Sequence, residues 1–157
     1  MAKSDFEIRE ALLEDLQILK HFEQEIIRFE RPFASNLKND PIVYYDIKDL
    51  IQRNDAQVLV AIVEEKIVGS GYALIRNSEP FFEPDQYAYL GFMFVSPQYR
   101  GKGINGTITE KLVEWSKKRN LTEFQLDVYA ENDSALKAYT KIGFKPDLLK
   151  MRFVVEE

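Results

Sequence analysis

The chain has 157 residues, the size of one ordinary domain, and 45% of them are hydrophobic, which is enough for a buried core. With 21 Lys and Arg against 26 Asp and Glu, the net charge of −5 argues against a general affinity for nucleic acid or anionic membranes. The absence of cysteine excludes disulfides, a thiol nucleophile and Cys-built metal sites, and His21 is the only histidine. No stretch has the length of a membrane span and the N-terminus is charged, so we expect a cytoplasmic protein without a metal.

The first half of the chain predicts a strand, two helices and a β-hairpin. Alternation of apolar and polar residues predicts a short strand around residues 6–8. Helical spacing predicts a first helix from Asp15 to Phe29, and the dipeptide Asp40-Pro41 resembles a cap that opens a second helix to Arg53. Two runs rich in Val and Ile, 57–63 and 67–75, lie close enough for a hairpin. No linker or repeat divides the chain, so we expect one domain, residues 1–157.

The second half predicts alternating strands and helices. Strands are expected at 87–95, 124–128 and 148–155, and helices at 104–120 and 134–142. The helix between the first two of these strands is long enough for a crossover, so those strands are expected to pair in parallel. The predicted fold class is therefore α/β, with a mixed, mostly antiparallel sheet flanked by about four helices.

The turn from Gln98 to Gly106 joins a buried strand to an amphipathic helix and is the segment most informative about function. Gly101 and Gly103 let the backbone bend and point N–H groups toward the helix entrance. Arg100 and Lys102 add positive charge, so the segment predicts an anion site suited to a pyrophosphate. It lacks the Gly-Lys-Ser/Thr ending of a Walker A loop, and the glycines alone are equally compatible with an ordinary turn.

Two motifs together resemble the GNAT superfamily of N-acetyltransferases. The pattern Gln98-x-x-Gly101-x-Gly103, after a strand and Ser96-Pro97, looks like the acetyl-CoA signature of that family. Downstream, Asn132 and Tyr139 followed by Ile142-Gly143-Phe144 resemble its second conserved segment. The resemblance covers roughly residues 57–153. It implies an acetyl-CoA-dependent N-acetyltransferase whose sheet has a V-shaped split where acetyl-CoA enters, with a primary amine of a small molecule or peptide as the acceptor.

The resemblance also implies roles for individual residues. Asn132 is expected to contact the pantetheine arm, and Tyr139, on the same side of the helix, to protonate the departing thiolate. A backbone N–H of Val95 or Phe94 is expected to stabilise the oxyanion of the intermediate. The full set expected to bind acetyl-CoA comprises Phe94, Val95, Gln98, Arg100, Gly101, Lys102, Gly103, Ile104, Asn105, Gly106, Asn132 and Tyr139.

The chain departs from the family pattern at two points. Asn105 stands where the family usually has a small residue, and its side chain either crowds the diphosphate or adds a hydrogen bond to it. The central strand lacks the glutamate that acts as a base in many relatives, since it reads Leu90-Gly91-Phe92-Met93. Candidates for a substitute base in the preceding loop are Glu79, Glu83 and Asp85, although acidic residues in such a loop are more often simply solvated.

Other features leave alternatives open. Six aromatic residues of the first helices and the loop either line an acceptor pocket or form the core: Phe29, Phe33, Tyr44, Tyr45, Phe81 and Phe82. His21 is expected to be a surface or packing residue. A homodimer paired through strand 148–155 is left open. The alternative function is a non-catalytic acyl-CoA-binding module that acts as a sensor or scaffold.

Overall fold

The computed structural model describes residues 5–156, which contain a five-stranded sheet and four α-helices in two compact units. The first unit ends at Asp127 and the second begins at Val128. Along the chain, the first unit contains β1 (Glu7–Glu10), α1 (Leu16–Glu30), α2 (Ile47–Gln52), β2 (Ala56–Val63), β3 (Lys66–Asn77), β4 (Gln86–Val95), α3 (Ile104–Lys117) and β5 (Phe124–Gln125). The second unit contains α4 (Asp133–Ile142).

The strands lie in the order β1-β2-β3-β4-β5. Neighbouring strands are antiparallel except β4 and β5, which pair in parallel as the crossover helix predicted. β5 is shorter than expected, and its pairing covers only Ala88 with Phe124 and Tyr89 with Gln125. Beyond Tyr89, this edge of β4 has no partner strand within residues 5–156. The sheet is therefore split at the end of β4, in agreement with the fold that the motifs implied.

A bulge bends β4 at Phe92, whose φ is +57°. Tyr72 of β3 lies opposite Gly91, whereas Ser70 lies opposite Phe94, so two residues of β4 face one residue of β3. The Ser70 hydroxyl donates to the Phe92 carbonyl at 3.0 Å and satisfies this group inside the protein. The extra residue changes which groups of β4 point toward β3 along the last part of the strand.

Helices pack on both faces of the sheet. α1 and α2 contribute Phe22 and Ile47 to a core that includes Tyr72, Phe92 and Phe94. Successive side chains of a strand point to opposite faces, so the residue before Tyr72 belongs to the other face. On that face, α3 packs closely over the glycines of β3, and the first unit has a helix layer on each side of its sheet.

The second helix is shorter than predicted. α2 begins at Ile47 rather than Asp40, and the Asp46 side chain caps it by accepting from the Asp49 N–H at 3.1 Å. Residues 41–46 are irregular because the backbone N–H groups of Tyr44 and Tyr45 donate to Glu23 at 2.8 and 2.7 Å. Glu23 lies on α1 and is 2% exposed. A buried carboxylate thus takes the donors that a helix would have used.

The predicted last strand, residues 148–155, is wrong. Within residues 5–156 no strand follows α4, and the sheet does not include this segment. A strand needs a neighbour to satisfy its backbone groups, and the apolar side chains of Leu148 and Phe153 are exposed instead of packed.

Within residues 5–156, no helix is long and apolar enough to cross a membrane.

Candidate active site

The loop between β4 and α3 contains two glycines in left-handed conformations. The φ angles of Gly101 and Gly103 are +80° and +84°. A Cβ at either position would meet no atom within 4 Å, so the backbone conformation rather than lack of space requires glycine. Gly103 is the N-cap of α3, and neither a capping side chain nor an acidic residue occupies the start of this helix. The first N–H groups of α3 therefore have no side-chain cap, and such a helix N-terminus favours an anion.

Two cations flank this loop. Arg100 Nε donates to the Val95 carbonyl at 2.9 Å, which ties the side chain to the end of β4. Lys102 Nζ lies 5.7 Å from the ring centroid of Tyr99. Both side chains are exposed, so their charges stay hydrated and carry little desolvation penalty. Their positive charge adds to that of the helix N-terminus and favours an anion there.

The remaining residues expected in the loop have different surroundings. Ile104 is buried and packs near Gly69, which anchors the start of α3 to the sheet. Asn105 and Gly106 are half-buried in the first turn. Gln98 is exposed and lines a cavity of about 390 Å³ between α1 and the ends of β3 and β4, together with His21.

The register of β4 distinguishes the two predicted oxyanion donors. Ser96 N–H donates to the Val68 carbonyl at 2.8 Å, so this position bonds to β3. Along a strand of an antiparallel sheet, the N–H and C=O groups of alternate residues point to the same neighbouring strand. Phe94 lies two residues before Ser96, so its backbone groups also point toward β3, where Ser70 is its partner. The groups of Val95 then point the other way, toward the unpaired edge of β4.

Three tyrosines gather on the face of the sheet that α1 and α2 cover. The ring of Tyr45 lies 5.7 Å from that of Tyr72 and 5.2 Å from that of Phe92, and Tyr72 lies 6.4 Å from Tyr89. Burial raises the pKa of Tyr45 far above its usual value, against the opposing effect of a hydrogen bond from the Phe92 backbone. Burial raises the pKa values of Tyr72 and Tyr89 as well, so these phenols stay neutral at physiological pH.

The carboxylate of Asp127 borders this tyrosine cluster, which we define as Tyr45, Tyr72 and Tyr89. Asp127 accepts from the Tyr89 hydroxyl at 2.8 Å, and the guanidinium of Arg76 lies 3.7 Å above the Tyr89 ring. Glu30, at the end of α1, is half-buried. Burial raises the pKa of Glu30 above its usual value, while its interaction with Tyr44 acts in the opposite direction. The sequence did not reveal this cluster, because its members come from distant segments.

The second motif lies on α4, in the other unit. The Asn132 side chain caps α4 by accepting from the Ala135 N–H at 3.3 Å, and it also accepts from the Ser134 hydroxyl at 3.2 Å. Tyr139 lies two turns later, with its ring 5.9 Å from that of Phe144. Gly143 ends the helix with a φ of +128°, as its predicted position required. Asn132 is thus a helix cap, a structural role that the sequence analysis missed.

The other candidates from the sequence lie elsewhere on the first unit. Glu79, Glu83 and Asp85 are exposed in the loop between β3 and β4. His21 is exposed on α1 and lies 3.9 Å from Glu25. Of the aromatic residues proposed for an acceptor pocket, Tyr45 packs against the core. The exposed Phe29 pairs with the half-buried Phe33, and the exposed Phe81 and Phe82 pair with each other.

Solved structures share this fold. A mutant of the BH1408 protein from Bacillus halodurans has a TM-score of 0.85 and 22% identity, covering 96% of this chain and 99% of that one. The aminoglycoside N-acetyltransferase AAC(6′)-Iy in complex with CoA has a TM-score of 0.75 and 16% identity, covering 96% and 99%. At these identities the likeness establishes the fold, and it confirms the predicted architecture.

Sequence comparisons extend the likeness to the family. An uncharacterized N-acetyltransferase of Archaeoglobus fulgidus is 31% identical over 133 residues, 85% of this chain and 88% of the relative. Another, from Methanocaldococcus jannaschii, is 33% identical over 98 residues, which is 62% of this chain but only 43% of that relative. The family model described as acetyltransferase (GNAT) family matches residues 22–144. The chain therefore belongs to the acetyltransferase (GNAT) family, which confirms the family and the enzyme class that its two motifs predicted.

Proposed function

We propose that this protein transfers the acetyl group of acetyl-CoA to a primary amine of a small molecule or peptide. The observation that carries the proposal is the uncapped N-terminus of α3, which opens on left-handed glycines beside the unpaired end of β4. Backbone N–H groups from Gly101 to Gly106 would hold the diphosphate, with Arg100 and Lys102 as added positive charge. The complex of the similarly folded AAC(6′)-Iy with CoA supports this assignment.

The chemistry is direct attack of a neutral amine on the thioester carbonyl. The N–C bond forms as the carbonyl becomes an oxyanion, and the Val95 N–H is the donor whose direction supports a role in stabilising it. Collapse of the intermediate breaks the C–S bond, and the thiolate takes a proton from Tyr139, while the nitrogen of the new amide gives up its extra proton to solvent, from which the Tyr139 phenol is restored. Reference pKa values of about 10 for a phenol and 8.5 for a thiol are close enough for this transfer.

The remaining predicted contacts complete the proposal. Since the carbonyl oxygen of the Asn132 side chain caps α4, its amide nitrogen is the group left for the pantetheine arm. No cysteine is available to carry an acyl group, so we expect ternary-complex rather than ping-pong kinetics. A cytoplasmic location, a homodimer and a reaction without a metal stay predictions.

A non-catalytic acyl-CoA-binding module is the second candidate. The observation that favours it is the apolar stretch of β4 from Leu90 to Val95, which carries no carboxylate to act as a base. The presence of both Asn132 and Tyr139 favours the enzyme.

A thiol-release assay distinguishes the two functions. Purified protein would be given acetyl-CoA with polyamines, aminoglycosides, amino acids and peptides, and calorimetry would measure CoA binding in parallel. We expect CoA binding and amine-dependent thiol release with at least one acceptor class. If the protein binds CoA but releases no thiol with any of the amines, the result would support the non-catalytic module. If it does not bind CoA, both functions would be overturned.

A further inference from the structure

Two opposite charges contact the same tyrosine side chain in the first unit. Arg76 lies on β3, Tyr89 on the neighbouring β4, and Asp127 just beyond β5. The Tyr89 hydroxyl donates to Asp127 Oδ2 at 2.8 Å. The central carbon of the Arg76 guanidinium lies 3.7 Å from the centroid of the Tyr89 ring. Tyr89 therefore has a cation against its ring face and an anion at its hydroxyl.

Neither of these charges is neutralised by an ion pair within residues 5–156. The salt bridges of that range involve other residues. The Tyr89 hydroxyl occupies Oδ2 of Asp127 and leaves Oδ1 as an acceptor. A guanidinium stacked on a ring keeps the N–H donors at its edge available. Both charged side chains are exposed, so a molecule from solvent can reach them.

The three side chains lie at the split of the sheet. β4 and β5 pair as far as Tyr89 and Gln125, and Asp127 follows two residues after that pairing ends. The hydrogen bond from Tyr89 fixes the Asp127 carboxylate beside this end of the pairing. In the proposed function the acetyl thioester enters the same split, so a molecule bound by Asp127 would lie at the acceptor side of the reaction.

A cation and an anion held by one tyrosine match a small molecule that carries both charges. An amino acid has its ammonium and its carboxylate on one carbon. A guanidinium binds a carboxylate through two parallel N–H donors, and an aspartate accepts charge-assisted hydrogen bonds from an ammonium. A polyamine or an aminoglycoside offers no anion to Arg76, and the N-terminus of a peptide has an amide where an amino acid has its carboxylate. The arrangement therefore favours a free amino acid.

We propose that Arg76 and Asp127 select a free amino acid as the acetyl acceptor, an inference that rests on the proposed function and narrows its substrate class. The carboxylate of the amino acid pairs with Arg76, and its ammonium pairs with Asp127. The ammonium loses one proton to solvent, and the neutral nitrogen then attacks the thioester by the steps given above. The products are an N-acetyl amino acid and CoA.

The first test compares each amino acid with its own amide, using phenylalanine with phenylalaninamide and leucine with leucinamide. The amide keeps the amine and the side chain but has no carboxylate for Arg76. We expect kcat/KM to be about 10- to 100-fold higher for the amino acids, the range of a hydrogen bond between charged groups. The amine of the amide is the weaker base, so easier deprotonation would favour the opposite order. Equal or reversed values would overturn the proposal.

The second test asks whether this preference depends on Arg76. Arg76→Gln should lower kcat/KM for phenylalanine by about 10- to 100-fold and leave the value for phenylalaninamide within about twofold. Arg119→Gln is the matched control, because the Arg119 guanidinium also stacks on an aromatic ring, 4.0 Å from the centroid of Trp115. This control should keep the preference. An Arg76→Gln loss that is equal for both substrates would assign Arg76 a structural role and overturn the proposal.

Asp127 should affect both substrates, since both carry the ammonium. Asp127→Asn keeps an oxygen that can accept from Tyr89 but removes the negative charge. We expect kcat/KM to fall by about tenfold or more for phenylalanine and for phenylalaninamide alike. Unchanged values for both would remove Asp127 from the site and overturn the proposed pairing.

Calorimetry distinguishes failure of this inference from failure of the proposed function. Phenylalanine is titrated into protein saturated with CoA, which has no acetyl group to transfer. We expect binding that Arg76→Gln weakens by about tenfold or more. Binding of this kind by a protein that acetylates no amine would overturn the proposed function and keep the amino-acid site. A protein that acetylates other amines but does not bind phenylalanine or leucine would overturn this inference alone, and a protein that does neither would overturn both.

Discussion

At two positions in the sheet, neighbouring side chains lie so close to the backbone that only glycine fits. A Cβ at Gly91 would lie 2.7 Å from the Tyr72 hydroxyl, and a Cβ at Gly71 would lie 2.8 Å from Ile108 of α3. Both distances are well below ordinary contact, so a side chain would displace a tyrosine from the cluster in one case and α3 in the other. The residue that Gly91 faces depends on the register between β3 and β4, which the bulge at Phe92 sets.

Tyr139 is the residue on which the proposed chemistry depends most directly. If it protonates the thiolate, Tyr139→Phe should lower kcat by about 10²- to 10⁴-fold with little change in KM for acetyl-CoA, because the proton is needed only in the transition state. The phenylalanine ring would keep the contact with Phe144. Steady-state kinetics and thermal unfolding of the same preparation measure both effects.

Tyr129→Phe supplies the control for this variant, since it removes a hydroxyl from the same unit at a residue that is not in the set expected to bind acetyl-CoA. It should retain kcat within about twofold. A loss below tenfold in Tyr139→Phe, with thermal stability unchanged, would mean that water or another group protonates the sulfur.

Among the elements, α2 shows how tertiary contacts decide a helix start. Asp40-Pro41 has the local features of a helix beginning, whereas Asp46 is the residue that caps the helix. The difference arises from Glu23 on α1, a side chain distant in sequence that binds the backbone at residues 44–45. α1, α3 and α4 follow their sequence patterns closely because each has an apolar stripe and local start or stop signals.

The N-terminus of α3 is predicted to bind the diphosphate of CoA. Gly103→Val would place a β-branched side chain at a φ of +84°, which bends the loop away from its conformation and blocks the approach to the helix. We expect CoA affinity to fall by at least about tenfold, which corresponds to 1.4 kcal/mol. Isothermal calorimetry with CoA measures the change.

The matched control lies at the other end of the same helix. Asn120 has a φ of +63°, so Asn120→Val imposes a similar strain on the backbone but leaves the loop untouched. It should lower thermal stability and keep CoA affinity. Equal affinities for Gly103→Val and the unaltered protein would refute the assignment of the phosphate loop.

For the molecule as a whole, local sequence patterns predicted most helices and strands and the loop between β4 and α3, but they did not predict contacts between distant segments. Gly101 and Gly103 could be assigned because the turn, its glycines and the helix start are adjacent in sequence. Tyr45, Tyr72 and Tyr89 could not, because segments distant in sequence bring them together. The last strand failed for the same reason: residues 148–155 have strand-forming composition, but pairing depends on a neighbour that the sequence does not specify.

One ion pair links the edge strand to the first helix and should make global stability depend on acid. Arg9 of β1 donates to Asp15 at 2.7 Å, and Asp15 also accepts from the Leu12 N–H at 2.8 Å. The hydrogen bond from Arg9 is the main reason that the pKa of Asp15 lies below its usual value. The carboxyl of Asp15 therefore binds a proton more readily in the unfolded chain, so the stability that the ion pair contributes is present above about pH 4 and is lost as pH falls through the folded pKa.

Asp15→Asn should lower the free energy of unfolding by about 1–3 kcal/mol at pH 7 and by much less near pH 2. Urea unfolding followed by fluorescence of Trp115, the single tryptophan, measures this difference, with the exposed Glu14→Gln as a control near zero at both values. A difference that stays constant between pH 7 and pH 2 would show that Asp15 stabilises the fold by its shape and not by its charge.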